Sequence, residues 1–324
     1  MAHESPPSDR SAHSTAFADL SSQIPKNPLM MPRLDQFITL YLYTPLVRFT
    51  GRTRNGFVPI LKYHSISSNL FGQSHPYFQI NTQPEIFSKQ IRGLKSQGYQ
   101  GIHLSEMLDG LASGLDMSNR VVITFDDGYR DFFTEGFEIL KQCGFTATVF
   151  LVTDRIRKTP VRNEGVDYLT WNDVRQLHAE GVQFGSRTVT HPDLRSLEPD
   201  QIDYEFGYSK EVIEQELGEA VESFSYPFPF PEEDRDFARF IGDTLENHGF
   251  KNGVSSIIGR AHSRSNRFSL PRVPINSWDT PELLRAKLLG GYDWMHAPQL
   301  LKKLIFHNVT LMQGQANAHS GKVR

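Results

Sequence analysis

Apolar and polar positions along this chain alternate between two periods, one of about two residues and one close to a helical turn. Beyond the hinge-like Gly51-Arg52-Thr53-Arg54-Asn55-Gly56, the run Val58-Pro59-Ile60-Leu61-Lys62-Tyr63-His64 predicts a buried strand. Thr82-Gln83-Pro84-Glu85 has the form of a capping box with proline in the first turn, and Phe87, Ile91 and Leu94 share one face before Gly98, so a helix is predicted there. Val121 to Phe125 reads as a strand, Tyr129 to Gln142 as a helix ended by Gly144, and Phe145 to Val152 as another strand, which makes a βαβ unit. The cycle repeats. Thr170 to Asp173 caps a helix stopping near Gly181, Val182 to Phe184 is a strand, a helix covers about Asp200 to Leu217, and Ser223 to Tyr226 follows as a strand. A further helix ends near Gly249 before Gly253 to Ile258, and Thr280-Pro281-Glu282 opens a C-terminal helix. Six or so strand–helix cycles over ~220 residues suit a closed or nearly closed β/α barrel of the α/β class better than a two-domain dinucleotide fold. No Gly-x-Gly-x-x-Gly or phosphate-loop signature follows a strand.

The barrel is expected over residues 56–279, with an N-terminal lead at 1–55 and a helical extension at 280–324. Met1 to Met31 is rich in Ser, Pro and His and lacks a cationic start followed by an apolar core, so it reads as a disordered lead rather than a cleavable signal. The apolar segment at 34–47 is too short to cross a bilayer and contains Pro45, but it could rest on a surface. Composition narrows the function. With 34 Lys+Arg against 37 Asp+Glu, the formal charge of −3 supplies no basic field, which argues against nucleic acid as a partner. Cys143 is the single cysteine, so no intramolecular disulfide forms and a reducing, cytoplasmic compartment or the inner membrane face is the expected location.

In such barrels the chemistry sits where strands end. Asp126 and Asp127 adjoin at one strand exit, and Gly128 permits a tight turn after them. Two carboxylates this close call for a cation, a hydrogen-bond network or a shared proton, although either could instead cap the next helix. At a second strand end, Gly185 to Pro192 places His191 in a loop, because Pro192 biases its predecessor away from helical angles. A third end, Ser225-Tyr226-Pro227-Phe228-Pro229-Phe230, offers aromatic faces to a sugar, or rigid packing. Arg272 and Trp278 add a fixed cation and another aromatic wall.

These ordered segments, from about Val58 to Asp279, resemble the polysaccharide deacetylases, carbohydrate esterases of the family-four type with nodulation-protein-like domains, which remove acetyl groups from glycans. Leu61-Lys62-Tyr63-His64 resembles the opening strand of one branch, Thr124 to Tyr129 the first catalytic motif and Ser186 to Pro192 the second. The resemblance implies a distorted (β/α) barrel with N- and C-terminal extensions. It also implies that Asp126 is the general base, that Asp127 and His191 bind a divalent metal, usually zinc, and that a backbone N–H near Tyr226 meets the oxyanion. Arg272 then substitutes for the arginine that often precedes the Pro-aromatic motif, where this chain has Ser225. Phe228, Phe230 and Trp278 become walls of a sugar-binding groove.

One position departs from the pattern. The second motif of that family is His-Ser/Thr-x-x-His, but here its first place is Arg187, and a protonated guanidinium has no lone pair for a metal. Asp127 and His191 alone fall one short of the three protein ligands typical of catalytic zinc; His64 and His178 are candidate replacements. The late Leu-x-His of the family has Leu304-Ile305-Phe306-His307 as its nearest string. Two expectations follow. The chain is a metal-dependent deacetylase acting on an N-acetylated glycan, or it is a catalytically impaired glycan-binding relative in which Arg187 replaces both a metal-binding histidine and its cation. A third role, in a polysaccharide-synthesis assembly or on a membrane surface, would use the 34–47 segment. Oligomeric state is left open.

Overall fold

The computed structural model describes residues 33–49, 56–68, 79–159, 162–163 and 166–305. The chain divides into Met1–Leu34 and Asp35–Arg324, and the barrel lies in the second unit. The lead before Arg33, and Phe306 and His307, fall outside the described residues.

Seven parallel strands form the barrel: β1 (Ile60–Tyr63), β2 (Arg120–Phe125), β3 (Thr148–Leu151), β4 (Gln183–Ser186), β5 (Ser223–Ser225), β6 (Asn252–Ile258) and β7 (Leu270–Pro274). Each pairs with its neighbours in chain order, and β1 closes the ring by pairing with both β2 and β7. The predicted α/β barrel is therefore the observed architecture. The helices around it are α1 (Pro84–Ser96), α2 (Leu104–Ala112), α3 (Phe137–Cys143), α4 (Trp171–Ala179), α5 (Pro199–Leu217), α6 (Arg235–Asn247) and α7 (Pro281–Leu288). A further helical segment, Leu34 to Phe49, precedes the barrel and exposes Phe37, Tyr41, Leu42, Leu46 and Phe49. No described helix is long and apolar enough to cross a membrane.

Strand alternation divides the core. Ile60, Val122, Phe150, Val254 and Leu270 come from five strands and join one cluster inside the barrel, which α2 closes from below through Leu104, Met107 and Leu111. Leu61, Val121, Ile123, Val149 and Leu151 belong to the other cluster, shared with helix residues such as Phe87, Ile91 and Val174. Burial on both faces explains why Val121, Val122 and Ile123 are successive apolar residues rather than an alternating pattern. Gly185 is required where it stands: a Cβ there would meet the Phe150 ring and the Ser223 carbonyl at 2.6 Å. Further along four of the strands the inward row is polar: Lys62 on β1, Thr124 on β2, Ser225 on β5 and Arg272 on β7.

Several predicted boundaries move. Thr170 and Asp173 form the expected capping box of α4, and Gly144 ends α3 at φ 73°. At α1, however, Thr82 caps nothing; it pairs with Ile66, and Gln83 is the N-cap. The segment Val58 to His64 is two strands, because Phe57–Val58 pairs antiparallel with Ala261–His262 while Ile60–Tyr63 enters the barrel. The predicted Tyr129–Gln142 helix starts only at Phe132 and passes through a π turn to Gly136 before α3. Strand β7 was not predicted at all. Pro271 and Pro274 make it look like a loop, yet it closes the barrel.

Candidate active site

The inward polar row surrounds a cavity of about 390 Å³, within the roughly 300–1,000 Å³ typical of ligand sites. Asp126 leaves β2 fully buried, at 1% exposure. Arg272 on β7 grips it with two parallel hydrogen bonds, Nη1 to Oδ1 and Nη2 to Oδ2, each 2.8 Å. Ser225 on β5 donates its hydroxyl to Oδ1 at 3.0 Å, and Arg187 Nη1 approaches Oδ2 at 3.2 Å. Burial works against ionisation of Asp126, but the charges of Arg187 and Arg272 outweigh it and hold the carboxyl well below the usual range.

Asp127 takes φ 75°, followed by Gly128 at φ 71°, which turns the backbone so that two successive carboxylates face the same cavity. Arg187 Nε donates to Asp127 Oδ1 at 2.7 Å, while its Nη1 donates to Ser225 Oγ (2.6 Å) and the Tyr226 carbonyl (2.9 Å). Despite burial, Arg187 lowers the Asp127 pKa, and the two carboxylates raise that of Arg187. His191 Nε2 lies 3.5 Å from the same Asp127 oxygen, is buried, and forms no hydrogen bond with a described residue. Burial, reinforced by Arg187, pushes its pKa down to about 4.

The loop carrying Arg187 and His191 is built against its backbone preferences. Thr188 and His191 both have positive φ, 67° and 63°. Pro192 does keep His191 out of the right-handed helical region, as expected, but the residue settles in the left-handed one rather than in an extended conformation. The buried Glu205 on α5 holds this turn: it accepts the N–H groups of Val189 (2.7 Å) and Thr190 (3.0 Å) and the Thr190 hydroxyl (2.7 Å).

The structure thus brings together Asp126, Asp127, Arg187, His191 and Arg272, as the sequence predicts, and places Phe228 at the cavity wall, 5.1 Å from the His191 ring. Four expectations change. Tyr226 is buried, and its N–H donates to the Val254 carbonyl at 3.2 Å, so that group is engaged in the sheet rather than facing an oxyanion. Phe230 is core, 4% exposed with its ring 4.8 Å from that of Tyr226, and does not line the cavity. His178 sits on α4, with Nδ1 3.4 Å from the Val182 carbonyl and Nε2 3.3 Å from Glu219, away from the site. Trp278 is half exposed outside the lining, and its indole donates to Gln79, which does line the cavity. His64 lies in the site, 3.8 Å from Asp126 Oδ2, with a pKa lowered to about 4 by burial.

Four contributors were missed. Ser225 stands in the sequence only where the family often has arginine, yet its hydroxyl joins Asp126, Arg187 and Arg272. Thr124, which accepts from Arg272 Nη1 at 3.2 Å, opens the first catalytic motif of the resemblance but has no role assigned to it there. Glu205 interrupts the apolar stripe of Ile202, Phe206 and Ile213, and Lys62 follows Ile60 on the inner row; both interruptions are visible in the sequence.

A zinc site of the family type does not fit these residues. Among the described residues no group of three His, Cys, Asp or Glu side chains could hold a metal. The Asp127 oxygen nearest His191 is already the acceptor of Arg187, so the guanidinium stands where a shared cation would bind.

Residues 116–239 match the family model for polysaccharide deacetylase. A Bacillus subtilis (strain 168) protein named as polysaccharide deacetylase YxkH is 28% identical over 223 residues, covering 68% of this chain and 71% of that one. The poly-beta-1,6-N-acetyl-D-glucosamine N-deacetylase of Escherichia coli K12 is 26% identical over 144 residues, which cover 41% of this chain but only 21% of that protein. Among solved structures, a Streptococcus pyogenes deacetylase in complex with acetate superposes with a TM-score of 0.60 at 25% identity, covering 72% of this chain and 98% of that one.

Proposed function

This chain carries a polysaccharide deacetylase domain, and from that premise we propose that it binds an N-acetylated glycan in the barrel cavity while lacking the metal-dependent turnover of such enzymes. The observation that carries this reading is Arg187, which pairs with both Asp127 and Asp126. Its guanidinium neutralises the acids as a metal would, but it cannot ionise a water molecule, so the nucleophile is not generated. Asp126 is affected as well. Three hydrogen bonds and the Arg187 contact occupy the positions from which a carboxylate accepts a proton, and the same cations make it a weak base. Phe228 at the wall and Trp278 beyond the rim supply flat apolar faces for sugar rings.

A second reading, residual deacetylation, is favoured by the intact Asp126–Arg272 pair and by the 3.5 Å approach of His191 to Asp127. It requires Arg187 to leave both acids. Acetate release from N-acetylglucosamine oligomers separates the two. The wild type is expected to stay at background with or without zinc, whereas Arg187→His with added zinc gains release. Chelator-sensitive release by the wild type would sink the binding-only account. For the exposed apolar face of the Leu34 to Phe49 segment we propose contact with a membrane surface, tested by co-flotation with anionic vesicles, which Phe37→Ser with Leu42→Ser should abolish.

A further inference from the structure

The inward row leaves one charge in the cavity uncompensated. Lys62 follows Ile60 on the inner side of β1, and its side chain lines the cavity beside Asp126, Asp127 and Arg187. Both carboxylates are committed: Asp126 to Arg272, Ser225 and Arg187, and Asp127 to Arg187. The Lys62 ammonium has neither a hydrogen bond nor an ion pair with a described residue. His64 and His191 also line the cavity, and an imidazole, neutral or protonated, supplies no negative charge. Arg187, Arg272 and Lys62 therefore face Asp126 and Asp127 with one positive charge in excess. Burial and then repulsion by Arg272 bring Lys62 down to about 8, so it is still mostly protonated at pH 7.

A half-buried ammonium sharing a cavity with two guanidinium groups favours an anion beside it, and no described side chain supplies one beyond the two committed acids. Of the remaining walls, Phe228, Ile80 and Ile275 are apolar and suit the face of a sugar ring, while Gln79, Asn276 and Gln299 are neutral and polar and supply no anion. We propose that the cavity takes an N-acetylated glycan whose sugars bear a carboxylate, with Lys62 pairing that carboxylate. This rests on the glycan-binding reading above and adds the substrate class to it.

Calorimetric titration of the full chain at pH 7 tests it with three probes: an oligosaccharide alternating N-acetylglucosamine with glucuronic acid, an N-acetylglucosamine oligomer of equal length, and sodium acetate. The acidic oligosaccharide is expected to bind at least about tenfold tighter than the neutral one, with the preference lost in Lys62→Met and kept in Lys62→Arg. Equal or tighter binding of the neutral oligomer overturns the carboxylate inference and leaves glycan binding standing. If neither oligomer binds, the glycan reading itself fails. Acetate binding as tightly as the acidic oligosaccharide assigns Lys62 to a free carboxylate and overturns the sugar class. Thermal melting of the unliganded proteins is a second readout: Lys62→Met should melt above the wild type, and a lower melting temperature would mean that Lys62 has an internal partner and contradict the proposal.

Discussion

At Arg187 one guanidinium meets two carboxylates that would otherwise repel each other in a buried site. Removing the charge without replacing it, as in Arg187→Met, should cost about 3–5 kcal/mol in urea unfolding at pH 7.5, the range for breaking a buried ion pair from one side. An Asp127→Asn, Arg187→Met double variant should recover part of that loss, because fewer charges are left unpaired. The histidines make a separate pH signature. Burial depresses His64 and His191 from an ordinary 6.5 to about 4, so the unfolded chain binds protons that the folded chain refuses. Their contribution is complete above pH 6.5 and is lost as pH falls from there through 4, reaching about 2 kcal/mol each at pH 5. Asp126, whose carboxyl is likewise held below its unfolded value near 3.8, adds stability that is present above that value and is lost only at lower pH. Unfolding curves at pH 7.5 and 5 should thus separate by several kcal/mol, and His64→Asn should narrow the gap.

The strand ends position these residues, and the elements behind them should be sensitive for reasons unrelated to charge. Glu205 on α5 satisfies two backbone N–H groups of the Arg187–His191 turn. Glu205→Ala should lower stability by about 2–3 kcal/mol in denaturant titration, through donors left buried and unpaired. Gly185→Ala should be at least as damaging, because its Cβ meets Phe150 and the neighbouring strand's backbone. Legibility at this scale followed physical cause. Thr170–Asp173 is a local interaction and was read correctly from the sequence. The Thr82 box failed because strand pairing with Ile66 claimed the residue. Strand β7 was hidden by two prolines whose missing N–H groups a closing strand tolerates at these positions.

At the scale of the whole molecule, the barrel and the meeting of Asp126, Asp127, Arg187 and His191 were legible because alternating elements and strand-end motifs fix them together. The cavity walls were not. Phe228 and Phe230 are two apart in an aromatic-proline run, and only the φ of 58° at Phe228 and the packing on Tyr226 decide which ring faces the cavity. The charge count of the cavity also needed the closed barrel, since Lys62 and Arg272 lie on β1 and β7, which pair only at closure. The account turns on a guanidinium standing in place of a metal. Zinc content measured on the purified wild-type chain, after equilibration with a slight excess of zinc at pH 7.5 and removal of free ion, is the direct test. The account expects far less than one zinc per chain, with near-stoichiometric zinc in Arg187→His; one tightly held zinc per wild-type chain, lost when Asp127 is replaced by Asn, would contradict it.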